Sequence, residues 1–191
     1  MLRLAALPLL LLPAVALAQA PAHPTPHGAE ARKAELDRLF EALKAVPDEA
    51  GAALVETRIR MLWAQEASPA VTLLLRRGVR NMEADLPEEA LEDFDAAVTL
   101  APDHAEAWHL RAQANARLGD FEAAARDLQE VLRLEPRHWL ALLTLSNMQK
   151  ERGDPAAALR SLKAALEIDP KMPGGAEKLR ELRRDAEGDA T

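Results

Sequence analysis

Small, large and turn-forming residues recur along this chain at a fixed interval of 34 positions. Within each interval an alanine is followed by an apolar ladder at helical spacing, and a proline ends the ladder. The repeated positions are Pro102, Pro136 and Pro170; Ala90, Ala124 and Ala158; Phe94, Leu128 and Leu162; Ala97, Val131 and Ala165; and Gly78, Ala112 and Ser146. A period of about 20–50 residues predicts stacked helix–turn–helix units.

Small residues at two of these positions predict where the two helices of a unit touch. In the first unit Gly78 faces Ala90, because only small side chains let two helix axes approach closely. Phe94 then fills the space between neighbouring units, and the equivalent residues of the other units have the same roles.

The turns agree with this arrangement. Gly119 stands where a left-handed helix C-terminus favours glycine, and Asp120 follows as the N-cap of the next helix. The same pair recurs at Gly153 and Asp154. After Pro102, Asp103 with Glu106 is expected to form a capping box.

The unit at 105–138 closely resembles the tetratricopeptide repeat (TPR). The residues that carry the resemblance are Trp108, Ala112, Gly119, Ala124, Leu128, Val131 and Pro136. The flanking units, 71–104 and 139–172, match less fully. The family's usual tyrosine is replaced by Asn81, Asn115 and Gln149, and its Gly-Asp turn by Asp85 and Leu86 in the first unit. The resemblance implies an all-α, right-handed helical solenoid with capping helices at both ends.

Helical patterns flank the three units. Residues 29–70 predict an N-terminal hairpin, a degenerate or non-TPR pair with helices over 29–46 and 48–67, packed on the first unit. Residues 173–191 predict a capping helix over 176–186 and a tail, because a terminal repeat needs a polar cover.

The first residues differ from the rest of the chain. Arg3 precedes an uncharged apolar run that ends in Ala16–Ala18, so residues 1–18 predict a secretory signal peptide cut after Ala18, or else after Ala20. Residues 19–28 predict a proline-rich linker. We therefore expect an exported, periplasmic protein that meets the membrane only through the uncut signal. The alternative is a membrane-tethered structural subunit of an envelope complex that retains this segment.

Composition narrows the possible functions. A net charge of −7 argues against nucleic acid as a partner. The chain has no Cys and no Tyr, Ser68 caps a helix, and Ser146 is a small packing residue, so no activated nucleophile is expected. The acidic run at 88–95 is interpreted as a solvated helix face. We expect no enzyme activity and no cofactor.

Histidines raise a metal hypothesis. His104 and His138 occupy the same repeat position, and His109 lies near them. Because no carboxylate stands at an obvious i, i+4 offset from them, they are interpreted as ordinary surface residues. A pH-dependent contact is the alternative, and no metal is predicted.

The TPR resemblance implies a concave groove that binds a protein segment, either an extended peptide or a partner helix. The groove positions carried over from the family are Leu75, Val79, Met82, His109, Gln113, Arg117, Leu140, Leu143, Asn147 and Lys150. The apolar members could equally be core residues. The subfamily that grips a terminal carboxylate has Lys, Asn or Arg where this chain has Leu75, Val79, Leu110, Leu140 and Thr144, so that clamp is absent. The chain most resembles small exported TPR proteins of bacterial envelopes, which act as adaptors; its oligomeric state stays open.

Overall fold

The computed structural model of the protein describes residues 26–188, which form helices and no strands. The helices are α1 (Pro26–Ala45), α2 (Glu49–Ala64), α3 (Pro69–Glu83), α4 (Pro87–Leu100), α5 (Ala105–Arg117), α6 (Phe121–Leu134), α7 (Trp139–Glu151), α8 (Pro155–Ile168) and α9 (Gly175–Gly188). The predicted signal peptide lies outside the described residues, as does the linker as far as residue 25. Helix α1 begins inside the predicted linker. Between residues 26 and 188 no helix combines the length and apolarity needed to cross a membrane.

Helices α3–α4, α5–α6 and α7–α8 form three hairpins that stack in chain order, since α4 packs on α5 and α6 on α7. Helix α9 packs on α8 and continues the stack. This architecture confirms the all-α solenoid expected from the 34-residue period. We call 71–104, 105–138 and 139–172 the first, second and third units.

Close contact between the helices of a unit depends on the small residues. A Cβ added to Gly78 would lie 2.4 Å from Phe94 Cε1, too close for any substituent without movement of the ring. Ala90 is fully buried. In the third unit Ser146 Oγ donates a hydrogen bond to the carbonyl of Ala158 at 2.8 Å, so the helices are also linked there. The predicted crossing is confirmed.

The turns inside the units follow the predicted chemistry. Gly119 and Gly153 have φ of +80° and +76°, a region that disfavours other residues. Asp120 and Asp154 each accept a hydrogen bond from the backbone N–H three residues later, at 2.9 and 2.8 Å. In the first unit Asp85 occupies the left-handed region with φ of 59°, a conformation that aspartate tolerates better than most residues.

Buried polar pairs explain the missing tyrosines. Asn81 Nδ2 donates to Asp93 Oδ2 at 3.2 Å, and Asn115 Nδ2 donates to Asp127 Oδ2 at 3.1 Å. In the third unit Ser161 Oγ donates to Gln149 Oε1 at 2.7 Å. The same two repeat positions therefore contact each other in all three units.

Arginines complete this network in the first two units. Arg77 binds Asp93, and Arg111 binds Asp127 through Nε at 2.9 Å and Nη2 at 2.6 Å. Asp93 is only 2% exposed, so the interpretation of 88–95 as a solvated face is wrong at this position. One acidic residue of the run is structural, and the reason is its arginine partner, which compensates the buried charge.

The N-terminal hairpin, α1 and α2, lies in an unexpected place. It packs on the second and third units, with α2 against α5 and α1 against α8. The prediction that it covers the first unit is wrong. Its aromatic side chains explain the difference: Phe40 and Trp63 contact Trp139, with ring centroids 6.1 and 5.2 Å away. Trp139, the first residue of α7, is fully buried as a result.

A charged contact reinforces this docking. The turn between the second and third units carries Arg137, whose Nη1 donates to Asp37 Oδ1 of α1 at 2.7 Å. Its guanidinium also lies 4.1 Å from the centre of the Phe40 ring. A cation over an aromatic face is attractive, so Arg137 holds α1 through two interactions.

Candidate functional site

The predicted groove residues of the first unit border open space. Leu75 and Val79 line a cavity of about 430 Å³. Ala64, the last residue of α2, and Ala67, in the turn that follows it, also line this space, as does Leu110 of α5. Met82 is half-buried in the apolar cluster next to it. We call this space the first-unit cavity.

The groove residues of the second unit are engaged within the protein. His109 is buried, and its Nε2 lies 3.1 Å from the side-chain amide of Gln113. Arg117 is exposed and forms an ion pair with Asp85 at 2.6 Å. Arg117 thus links the second unit to the first, His109 also lies 3.1 Å from Thr144 Oγ1 of the third unit, and none of the three side chains lines the cavity.

The groove residues of the third unit contact the flanking helices, although Asn147 and Lys150 stay exposed. Leu140 and Leu143 pack against the apolar cluster that includes the N-terminal hairpin. Asn147 Oδ1 accepts a hydrogen bond from Lys178 of α9 at 2.8 Å, and Lys150 forms an ion pair with Glu181 of the same helix. Of the predicted groove residues, Leu75 and Val79 of the first unit line the first-unit cavity, whereas those of the third unit contact the flanking helices.

A buried network of one carboxylate and two imidazoles lies beside the cavity. Glu106 Oε2 is 3.2 Å from His138 Nε2 and 3.5 Å from His109 Nδ1. Burial alone would raise the pKa of Glu106, but the nearby His109 and the hydrogen bond with His138 hold it well below its usual value. Glu106 is therefore ionised, although it is partly buried beside the cavity.

The histidines are not surface residues, and that interpretation is wrong. His138 is fully buried because the Trp63 ring stacks on it at 4.5 Å, nearly parallel. Burial lowers the pKa of His138, so its ring stays neutral near pH 7. The carboxylate that the sequence did not reveal is Glu106, which stands three residues before His109 and 32 residues before His138, near the opposite end of the same unit.

The ring nitrogens of this network show which chemistry it favours. Glu106, His109 and His138 place three potential metal-ligand atoms within 4.8 Å of one another. However, His138 Nδ1 accepts a hydrogen bond from the Ala141 N–H at 3.1 Å, so the proton of the neutral ring lies on Nε2. A metal ion would need the lone pair of that nitrogen. The geometry therefore favours a hydrogen-bond network over a metal centre.

His104 caps α5 in the same way that His138 caps α7. Its Nδ1 accepts a hydrogen bond from the Ala107 N–H at 3.3 Å. The predicted capping box is therefore wrong: Asp103 is not the N-cap, and Glu106 turns toward His138 instead. Burial lowers the pKa of His104.

A second buried acidic contact joins the N-terminal hairpin to the third unit. Glu56 of α2 faces Asp169, the C-cap of α8, and both are buried. Neither oxygen of Asp169 has a hydrogen-bond partner of ordinary geometry among residues 26–188. Burial, followed by the proximity and charge of Glu56, raises the pKa of Asp169 to about 7. Protonation of Asp169 makes it a donor toward Glu56.

Replacement of Glu56 by Gln should therefore change how stability depends on pH. The pKa of Asp169 in the folded protein is above its ordinary value of 3.8. The stability that protonated Asp169 contributes to the fold is therefore complete below about pH 4, and it is lost as the pH rises through about 7. The amide that this substitution introduces removes the like charge and supplies a donor. We expect Glu56→Gln to raise the free energy of unfolding by on the order of 1 kcal/mol at about pH 8, and to change it little at about pH 5. Urea unfolding at both values tests this, and an equal change at both would contradict it.

Comparison with known proteins identifies the repeats. Two models of the tetratricopeptide repeat match the chain, over residues 78–138 and 109–173. A TPR repeat-containing protein of Rhizobium etli is 32% identical over 99 residues, which are 52% of this chain and 48% of that protein. The chain thus spans about half the length of this relative. Residues 78–173 are therefore tetratricopeptide repeats, as the sequence resemblance implied.

Solved structures share the fold at low identity. The Sgt2 TPR domain from Aspergillus fumigatus has a TM-score of 0.60 and 20% identity, over 64% of this chain and 83% of that one. The TPR2B domain of yeast Sti1, in complex with an Hsp70 peptide, has a TM-score of 0.57 and 22% identity, over 64% of this chain and 99% of that one. The Yersinia enterocolitica type III secretion chaperone SycD, in complex with a peptide of the translocator YopD, has a TM-score of 0.55 and 15% identity, over 64% of this chain and 93% of that one.

Proposed function

We propose that this protein is an interaction scaffold that binds a segment of a partner protein at the first-unit cavity. The cavity itself carries the proposal, because an open apolar space on the groove side of a solenoid suits an amphipathic segment. The solved complexes of TPR proteins with Hsp70 and YopD peptides support this function by analogy of fold. An affinity near micromolar, about −8 kcal/mol, is expected for such a site.

The floor of the cavity belongs to well-packed elements. Leu75 is only 9% exposed, and Val79 packs against the same apolar cluster as Phe94. A partner side chain placed over them would bury further apolar surface without reorganising the solenoid. Because the site is already formed before binding, few side chains of the protein have to be ordered when the partner binds. This small entropic cost allows even a cavity of this size to bind a partner segment.

The proposed binding site is confined to the first unit, unlike a groove that runs along all three units. The N-terminal hairpin and α9 cover the third unit, where Leu143 and Lys150 already have partners within the chain. The bound segment is therefore short, or continues past the first unit onto the edge of the solenoid. No arrangement of residues 26–188 brings an activated nucleophile to the cavity, so the proposed role is non-enzymatic.

The site of action is part of the proposal. The apolar run before Ala18 supports export, and periplasmic assembly or regulation of an envelope complex is the role that we propose. The alternative, a subunit tethered by this same segment, makes a different prediction about the mature protein. Mass spectrometry of the exported chain distinguishes them, since cleavage yields Gln19 or Pro21 as the first residue.

Val79→Glu tests the binding surface. A carboxylate on the apolar floor should lower affinity at least tenfold, because burying it under a partner costs about 1.4 kcal/mol or more. Peptides selected from a displayed random library on the wild-type protein provide the ligands, and fluorescence anisotropy measures their affinity. Leu73→Glu is the matched control: it introduces the same charge on the same helix, at a side chain that is 65% exposed and does not line the cavity. Equal losses in both variants would contradict the proposed surface.

A further inference from the structure

Two arginines without partners stand at the first-unit cavity. Arg76 and Arg80 lie one turn apart on α3, are exposed, and line the cavity. Neither forms an ion pair or a side-chain hydrogen bond with any other residue between 26 and 188, whereas Arg77 between them is bound to Asp93. The cavity thus has an apolar floor and two available guanidinium groups.

From this charge pattern we infer that the segment bound at the cavity carries Asp or Glu side chains next to its apolar residues. The inference rests on the proposed function and specifies the chemistry of the partner. An ionised carboxylate can accept two hydrogen bonds from one guanidinium, a strong and directional contact. The apolar floor and the arginines together select an acidic amphipathic segment.

The distribution of charge within the first unit strengthens the argument. Its cations, Arg76, Arg77 and Arg80, all lie on the inner helix α3. Glu88, Glu89, Glu92 and Asp95 are exposed on the outer helix α4. The unit therefore places its two unpaired cations at the cavity, whereas the carboxylates of its outer helix lie elsewhere, although the whole chain has a net charge of −7. Contact with an acidic segment is therefore favoured at these two arginines rather than at α4.

Two carboxylates, Glu83 and Glu106, also border the cavity and balance the formal charge of its lining, but neither is paired with Arg76 or Arg80. Glu106 is held by His138 and His109. Glu83 is exposed and forms no ion pair with Arg80. Two like charges at i and i+4 repel each other on a free helix, and a partner carboxylate between them removes that repulsion.

The expected carboxylates are internal side chains rather than a chain terminus. The positions that would clamp a terminal carboxylate hold Leu75, Val79 and Leu110, which are apolar and form the floor. Arg76 and Arg80 line the cavity beside that floor. A segment with a blocked C-terminus should therefore bind as well as one with a free terminus.

The experiment uses peptides that are selected on the wild-type protein and lose binding in Val79→Glu. They are synthesised with acetylated and amidated ends, and their acidic residues are replaced by Gln or by Lys. We expect the parent peptides to be acidic and to bind about tenfold tighter than the Gln forms at low salt, with the Lys forms weakest. Added salt should reduce the difference. Arg76→Gln with Arg80→Gln should abolish it.

The control is Arg126→Gln with Arg160→Gln, which removes the same charge from α6 and α8, outside the cavity lining. This variant should keep the preference for acidic peptides. Neutral or basic parent peptides, or a preference that survives the loss of Arg76 and Arg80, would overturn the inference and leave the proposed function standing. A library that yields no peptide dependent on Val79 would overturn both.

Discussion

Trp139→Ala is expected to lower the free energy of unfolding by about 3–5 kcal/mol. Trp139 is the largest fully buried side chain among the described residues and joins the N-terminal hairpin to the third unit through Phe40 and Trp63. Truncation would leave a cavity that rigid helices on several sides cannot close. Urea unfolding followed by circular dichroism at the wavelength that reports helix gives the value.

Trp139→Phe is the matched control. The indole N–H of Trp139 has no hydrogen-bond partner among residues 26–188, so its loss costs nothing and removes an unsatisfied donor. Because Phe retains most of the aromatic contact with Phe40, we expect a loss of about 1 kcal/mol or less. A loss below about 1 kcal/mol for Trp139→Ala would show that the hairpin does not dock on this residue.

Asp127→Ala should lower the free energy of unfolding by about 3 kcal/mol, which is the second largest effect that we expect. The carboxylate is buried and accepts hydrogen bonds from Arg111 and Asn115. Its removal leaves the buried Asn115 amide without this acceptor and the Arg111 guanidinium with Asp95 as its remaining partner. Chemical unfolding of the purified variant measures the change.

Asp95→Ala provides an internal comparison, because Asp95 binds the same guanidinium at 2.9 Å from an exposed position. Exposed ion pairs contribute at most about 1 kcal/mol, so this variant should remain close to the wild type. If the two variants lose equal stability, burial does not determine the strength of the pair, and our account of the repeated Asn–Asp contact fails.

The sequence predicted the parts of the fold that depend on local rules. Gly119 marks a left-handed turn because of its own backbone freedom, and Asp120 caps the next helix within three residues. The 34-residue period predicted the stacking of hairpins because each unit buries its apolar face on its neighbour.

The placement of the N-terminal hairpin depends on contacts far apart in the chain. The sequence identified Phe40 and Trp63 as apolar but not their partner, Trp139, which lies far beyond Trp63 along the chain. The groove was predicted from the family pattern, which places Leu143 and Lys150 on an open surface. In this protein Leu143 packs against the cluster that includes the N-terminal hairpin, and Lys150, though exposed, is paired with Glu181 of α9. The unpaired state of Arg76 and Arg80 is likewise a property of the folded chain.

The account depends most on the claim that the partner binds at the first unit while the hairpin stays docked. Amide hydrogen exchange of the wild-type protein, with and without a selected peptide at saturating concentration, tests this claim directly. We expect slower exchange in α3, near Leu110 and at the end of α2 around Ala64, and no change in α1, in the rest of α2 or in α7. Slower exchange in α7 together with faster exchange in α1 and α2 would show that the peptide displaces the hairpin, and would contradict the account.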